Sequence, residues 1–206
     1  MNLFEHPSAA VFFVGFVVYI AIRGRFEQLT KGREVLKRRV DAAEKGLLAL
    51  VGVGCGLLPL VYLFTPLLDF ADVELPDWMP WVGGVALFAG LRLFHRSHAD
   101  LGTNWSVTLE LKADHVLVRH GVYARIRHPM YSAIFLVCIA QGLLLPNLLA
   151  GWAGLVTFAL LYEVRVPKEE VLMHDAFGQE YTEFCSTRGR ILPGRGDAQV
   201  SGRRAT

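Results

Sequence analysis

Residues 129–162 read PMYSAIFLVCIAQGLLLPNLLAGWAGLVTFALLY, 34 positions without one Asp, Glu, Lys or Arg. As a single α-helix this stretch would be about 51 Å long, well beyond the roughly 30 Å hydrocarbon core of a bilayer. It must therefore fold back on itself. Pro146-Asn147 lies near its middle and is a turn signal, so the sequence predicts a tight hairpin of two apolar helices.

Working toward the N-terminus, residues 46–68 give 23 further positions without a charge, the clearest single span in the chain. Residues 79–94 form another, with Arg92 near one end, where it can snorkel, and Trp78 and Trp81 near the other, as in an interfacial aromatic belt. Residues 7–22 form a short first span without the basic leader and small-residue cleavage site of a signal peptide. The fold class expected is all-α, a polytopic membrane protein of about five transmembrane helices. The composition agrees, with 53% apolar and only 19% charged residues in 206, against about 25% charged in an average soluble domain. Three regions follow: residues 1–97 with three spans, 98–193 with the hairpin and an amphipathic C-terminal helix, and 194–206 as a disordered tail. Cys55, Cys138 and Cys185 form no C-x-x-C pair and read as small apolar fillers, so neither a disulfide framework nor a metal site is expected.

Charge sets the orientation. Residues 23–45 carry eight Lys/Arg, residues 69–77 carry four acids and no base, and the remaining bases fall at 92–127 and 165–204. Five crossings put every base on one side, which the positive-inside rule makes cytoplasmic. The basic stretches then belong to topology and anionic membrane lipids, and no nucleic-acid partner is expected. The oligomeric state is not legible.

Two polar segments adjoin the hairpin on that side. The first, residues 115–131, reads HVLVRHGVYARIRHPMY. Gly121 is its turn point, and Pro129 opens the fourth span at a first-turn position, where its missing N–H costs nothing. Free N–H groups and a positive dipole end there favour an anionic group. The second, residues 163–170, reads EVRVPKEE. Pro167 is expected to break or restart the helix, with Glu169 and Glu170 in the first turn of an amphipathic continuation. Arginines 125 and 127 could merely snorkel, and first-turn acids are common for dipole reasons alone. Hairpin geometry, however, brings the start of the fourth span beside the end of the fifth, so Tyr123, Arg127, His128, Tyr131, Arg165 and Glu169 are expected to converge on one cytoplasmic pocket. His95 and His98 read as interfacial polar residues. His174, Phe177, Tyr181 and Phe184 recur at helical spacing and read as a packed helix face.

The runs GVYARIRHPMY, QGLLLPNLLAG, RVPKEE and FGQEY, in that order over residues 104–193, resemble the isoprenylcysteine carboxyl methyltransferases and their bacterial relatives. The resemblance implies S-adenosyl-L-methionine as cofactor. Its contacts would fall on His115, Val116, Leu117, Val118, Tyr123, His128, Pro129, Met130, Tyr131 and Glu169, while Arg165 matches the arginine assigned to substrate and is the catalytic candidate. It also implies methylation of the carboxylate of a prenylated cysteine or similar lipidic acid. Family members commonly carry Gly two residues after the HP-x-Y tyrosine, where this chain has Ala133. An amine, phospholipid or thiol methyltransferase on the same scaffold is the alternative enzyme, and a non-catalytic membrane assembly factor the alternative from another class.

Overall fold

The computed structural model describes residues 5–30, 35–38, 42–102, 110–112 and 116–194. Helix α1 spans Pro7–Thr30, α2 Ala42–Phe64, α3 Met79–Leu101, α4 Pro129–Leu144, α5 Leu148–Phe177 and α6 Gln179–Thr187. The fold is helical as expected, with one addition. Strands β1 (Val35–Arg38) and β2 (Glu110–Lys112) form a two-stranded antiparallel ribbon that joins the α1–α2 connection to the α3–α4 connection. Helices α1, α2 and α5 are long and apolar enough to cross a membrane, and α4 is a shorter apolar helix. Helix α3 has 23 residues, but Arg92, His95, Arg96, His98 and Asp100 fall in its last part. Val14, Trp81, Val85 and Phe88 are exposed, an apolar surface suited to lipid.

The hairpin turns where the sequence places it. Asn147 caps α5, its Oδ1 accepting from the N–H groups of Leu149 and Ala150 at 3.1 and 2.9 Å. Its Nδ2 donates to Leu68 O at 2.6 Å and Asp72 Oδ1 at 2.8 Å, so this turn also holds the acidic 69–77 connection. That connection and the basic segments thus lie at opposite ends of the hairpin.

Helix α2 is interrupted by a π-helical turn at Val53–Leu57. Pro59 causes it: it has no N–H, while Leu58 N–H reaches back to Val53 O, so Gly54 O is left without an intrahelical donor. Gln141 of α4 supplies one at 3.0 Å and donates also to Ala150 O at 2.6 Å, tying three helices together inside the apolar layer. Gly54 permits the close approach this needs, since a Cβ there would collide with Thr157 Oγ1 and Ala153 O of α5.

Three expectations are corrected. Pro167 does not break the helix, because α5 runs unbroken from Leu148 to Phe177. Pro167 and Glu163, whose carbonyl loses its donor, are both exposed, so water can satisfy the freed group. His98 is fully buried rather than interfacial, with its ring against Phe26 and Phe94 at 5.0 and 4.3 Å and its Nδ1 2.8 Å from Phe94 O. The helix face predicted through His174 and Phe184 is split at Gly178, whose φ of +52° turns the chain between α5 and α6. The tail at 195–206 lies outside the described residues.

At Ala133, where relatives commonly carry Gly, the residue that permits close helix approach is a glycine of the opposite helix. Ala133 is fully buried, and a Cβ on Gly90 of α3 would press on Ala133 O and Val137.

Candidate functional site

The polar end of the hairpin is assembled around two adjacent carboxylates. Tyr131, in the first turn of α4, donates its hydroxyl to Glu169 Oε2 at 2.8 Å, and His128 Nδ1 lies 3.6 Å from Glu169 Oε1. The anion at the positive end of α4 is therefore Glu169 itself. The backbone there is partly self-satisfied, with Tyr131 and Ser132 N–H returning to His128 O.

Glu170, one residue on, gathers two guanidinium groups and the His128 ring. Arg127 is 3.2 Å from its Oε1, His128 Nε2 is 3.2 Å from the same atom, and Arg190 grips both oxygens at 3.1 and 2.6 Å. Burial alone would push the Glu170 carboxyl up, but the hydrogen bonds from His128 and Arg190 and the charge of Arg127 outweigh it and hold it at about 2. For His128, burial works to lower the pKa, and the bonds to Glu169 and Glu170 reverse that and raise it above the usual histidine value. Both groups lie beyond the uncharged stretch that ends at Tyr162.

The segment after α6 completes this end. Arg127 N–H donates to Gly189 O at 2.8 Å and His128 N–H to Arg190 O at 3.0 Å, while Gly189 N–H returns to Arg125 O at 3.2 Å. The Arg188 guanidinium sits 4.5 Å over the Phe184 ring. On the other flank, Gly121 (φ +60°) lets Asp100 approach so closely that any Cβ would overlap it, and Asp100 Oδ2 accepts Val122 N–H at 2.8 Å. This sets Tyr123, which is buried and donates to Ser97 O at 3.4 Å.

Beneath these groups lies a cavity of about 530 Å³. Its mouth is lined by Val116, Leu117, Val118, Tyr123, His128, Met130, Tyr131, Arg165 and Glu169. Of the other predicted contacts, Pro129 starts α4 but does not line the cavity, and His115 lies outside the described residues. Arg165, one helical turn before Glu169, has its NH1 3.5 Å from Oε1 of the buried Glu44 on α2. Sequence reasoning did not single out Glu44 or Arg190, named Glu170 only as a first-turn acid, and read Tyr181 and Phe184 as part of a packed helix face. The last two line the mouth. Charge inside the start of α2, at Glu44, was the one available signal, and no local pattern shows that a segment 20 residues past Glu170 folds back on it.

The cavity continues as an apolar arm whose walls include Phe16, Ile20, Val51, Cys55, Val137 and Phe158. Helices α1 and α2 thus help to build a site expected from α4, α5 and their flanking loops. The seam between α4 and α5 is itself closed, with Phe135 packed on Phe158 at 4.9 Å and Trp152 covering Gly142. Cys55 and Cys138 lie side by side in the arm as thiols, sulfur to sulfur 3.7 Å.

Comparison with known proteins locates this architecture. Residues 84–175 match the isoprenylcysteine carboxyl methyltransferase (ICMT) family. The chain is similar to a protein-S-isoprenylcysteine O-methyltransferase of Tribolium castaneum, 31% identical over 126 residues that make up 60% of this chain and 45% of the beetle protein. A probable enzyme of the same name from Oryza sativa subsp. indica is 26% identical, over 63% of this chain and 69% of its own. The human protein-S-isoprenylcysteine O-methyltransferase is 31% identical over 52% of this chain and 38% of its own. A solved structure of the eukaryotic intramembrane Ras methyltransferase ICMT superposes with a TM-score of 0.54 and 26% identity, covering 75% of this chain and 54% of that one. The chain thus spans about half the length of the beetle protein and of the solved chain.

Proposed function

We propose, on the premise that residues 84–175 belong to the isoprenylcysteine carboxyl methyltransferase family, that this protein is a membrane methyltransferase. It uses S-adenosyl-L-methionine to methylate the carboxylate of a prenylated cysteine or a similar lipidic acid. The observation that carries this reading is the continuity of one cavity, from a mouth bearing Glu169, His128 and Arg165 to an arm walled by apolar side chains.

The donor set suits such a cofactor. Val116, Leu117 and Tyr123 offer apolar cover for a base, and Glu169 is an acceptor for a ribose hydroxyl or an ammonium group. The volume lies within the range of small-molecule sites. S-adenosyl-L-methionine supplies a methyl group already activated on a sulfonium sulfur. An acceptor carboxylate with an ordinary α-carboxyl pKa is ionised at neutral pH and needs no general base. What remains for the protein is positioning. Arg165 orients the carboxylate by a charge-assisted, bidentate contact, the Tyr131 and His128 bonds fix Glu169, and the apolar arm keeps water and tail apart. Five crossings, with this mouth on the cytoplasmic face, let the cofactor arrive from water while the acceptor's tail stays in hydrocarbon.

The test is calorimetry with S-adenosyl-L-methionine, followed by transfer of labelled methyl to S-prenyl cysteines by purified protein in lipid nanodiscs. Micromolar binding and a base-labile label are expected. Base-stable label would point to an amine or thiol acceptor instead. Absence of cofactor binding, or full activity in both Arg165→Ala and Glu169→Ala, would overturn the reading.

A further inference from the structure

Two thiols meet in the cavity wall where α2 faces α4. Cys55 Sγ and Cys138 Sγ are 3.7 Å apart, both are reduced, and both line the cavity. Their register is built in rather than incidental. Cys55 occupies the π-turn of α2, and Gly54, just before it, accepts the Gln141 amide N–H of α4 at 3.0 Å, one turn beyond Cys138. Gly154 of α5 leaves room for the Cys55 sulfur, since a Cβ there would press on it at 3.1 Å. Within this seat the two residues differ: Cys138 is 1% exposed, while Cys55 is only half-buried. The lining also includes the exposed Ile20 of α1 and Gly52 of α2, one turn before Cys55, so an apolar molecule can reach Cys55 from the hydrocarbon side.

We propose that Cys55 and Cys138 are a modification site, a dithiol that a hydroperoxide oxidises to a reversible disulfide tying α2 to α4. Cys55, the accessible sulfur, attacks a peroxide oxygen; the O–O bond breaks, an alcohol leaves with the thiol proton, and Cys55 becomes a sulfenic acid. Cys138, at its side, then attacks that sulfur, the S–S bond forms and water leaves. Two thiols and one hydroperoxide thus give one disulfide, one alcohol and one water. The Cys55 thiol faces the carbonyl of Gly154 at 3.7 Å, which does nothing to stabilise a thiolate, so the site responds to sustained oxidant rather than to a trace. The bond joins positions 83 residues apart, and while it lasts the α2 and α4 walls of the cavity cannot part. This chemistry is independent of the methyl-transfer reading, because an inactive protein is oxidised all the same.

The experiment treats the protein in lipid nanodiscs with cumene hydroperoxide, then denatures it and counts maleimide labels by mass spectrometry. Three labels per chain are expected before treatment and one, on Cys185, after it, with dithiothreitol restoring all three. Digestion without reductant should yield a peptide pair joined through Cys55 and Cys138. Cys138→Ala removes the second thiol and should leave Cys55 as a sulfenic acid that dimedone traps, while Cys55→Ser should leave Cys138 open to the label. Cys185→Ala should not alter the reaction. Three labels after treatment, disulfides that run through Cys185, or a loss of label that dithiothreitol does not restore would overturn the proposal.

Discussion

Tyr131 and Glu169 meet across the hairpin, hydroxyl to carboxylate at 2.8 Å, although 38 residues separate them in the chain. This bond, with His128 on the other carboxylate oxygen, holds Glu169 over the cavity mouth rather than out in solvent. Tyr131→Phe removes one hydrogen bond to a charged group, a loss of about 1.5–3 kcal/mol. The expected outcome is weaker S-adenosyl-L-methionine binding by calorimetry, by about tenfold or more, together with a Tm lower by several degrees. Glu169→Gln should lose more, because the acceptor itself is altered.

Glu170 should behave differently from its neighbour. It does not line the cavity, yet it joins Arg127, His128 and Arg190. Glu170→Ala leaves Arg127 and His128 partly buried without this carboxylate, a class of change that costs about 3–5 kcal/mol; the half-exposed Arg190 adds little to it. A clear drop in Tm is expected, together with proteolytic release of the 188–194 segment. Unchanged Tm with lost cofactor binding would reverse the two glutamates' roles.

These two carboxylates also mark how far the sequence alone reaches. The hairpin was legible because 34 uncharged residues exceed a bilayer and Pro146-Asn147 interrupts them, and from that fold-back the meeting of His128 and Tyr131 with Glu169 followed. Glu169 was expected at the pocket and lines the cavity, whereas Glu170 was read only as a first-turn acid and its contacts with Arg127, His128 and Arg190 were not anticipated. Docking of Arg190 and the pairing of Glu44 with Arg165 are long-range contacts without a local pattern. The walls contributed by Phe12, Phe16 and Cys55 were hidden for another reason: in a helix that is apolar all round, lipid-facing and cavity-facing residues look alike.

The Arg165–Glu44 contact separates stability from chemistry. Arg165→Met removes a cation beside a carboxylate that is only 2% exposed, and a loss of about 3–5 kcal/mol is expected. Adding Glu44→Gln removes the buried charge as well. The double variant should regain much of the Tm in a double-mutant cycle while methyl transfer stays lost, because the guanidinium that orients the acceptor is still missing. Recovery of both together would show that Arg165 acts only as a structural partner of α2.

The turn at the far end predicts the complementary result. Asn147→Ala deletes the α5 cap and the bonds to Leu68 O and Asp72. Cap loss costs about 0.5–2 kcal/mol, and the lost buried donors add to it. A lower Tm is expected, with S-adenosyl-L-methionine binding by calorimetry unchanged, since this turn lies at the opposite end of the hairpin from Glu169.

The His128–Glu170 pair makes stability depend on pH in both directions. Glu170 is depressed to about 2 in the folded protein, so its contribution is fully present above the unfolded carboxyl value of roughly 4.3 and fades as pH falls toward 2. His128 is raised, so its contribution is fully present below its unfolded value near 6.5 and is lost as pH climbs through the folded one. The two windows overlap between roughly pH 4.3 and 6.5, and Tm of the protein in nanodiscs should peak there and decline on either side. His128→Asn should flatten the alkaline limb and leave the acid limb, since Arg127 and Arg190 still hold Glu170. An alkaline limb that survives in His128→Asn would assign the titration to another group and remove His128 as the charged link between the two glutamates.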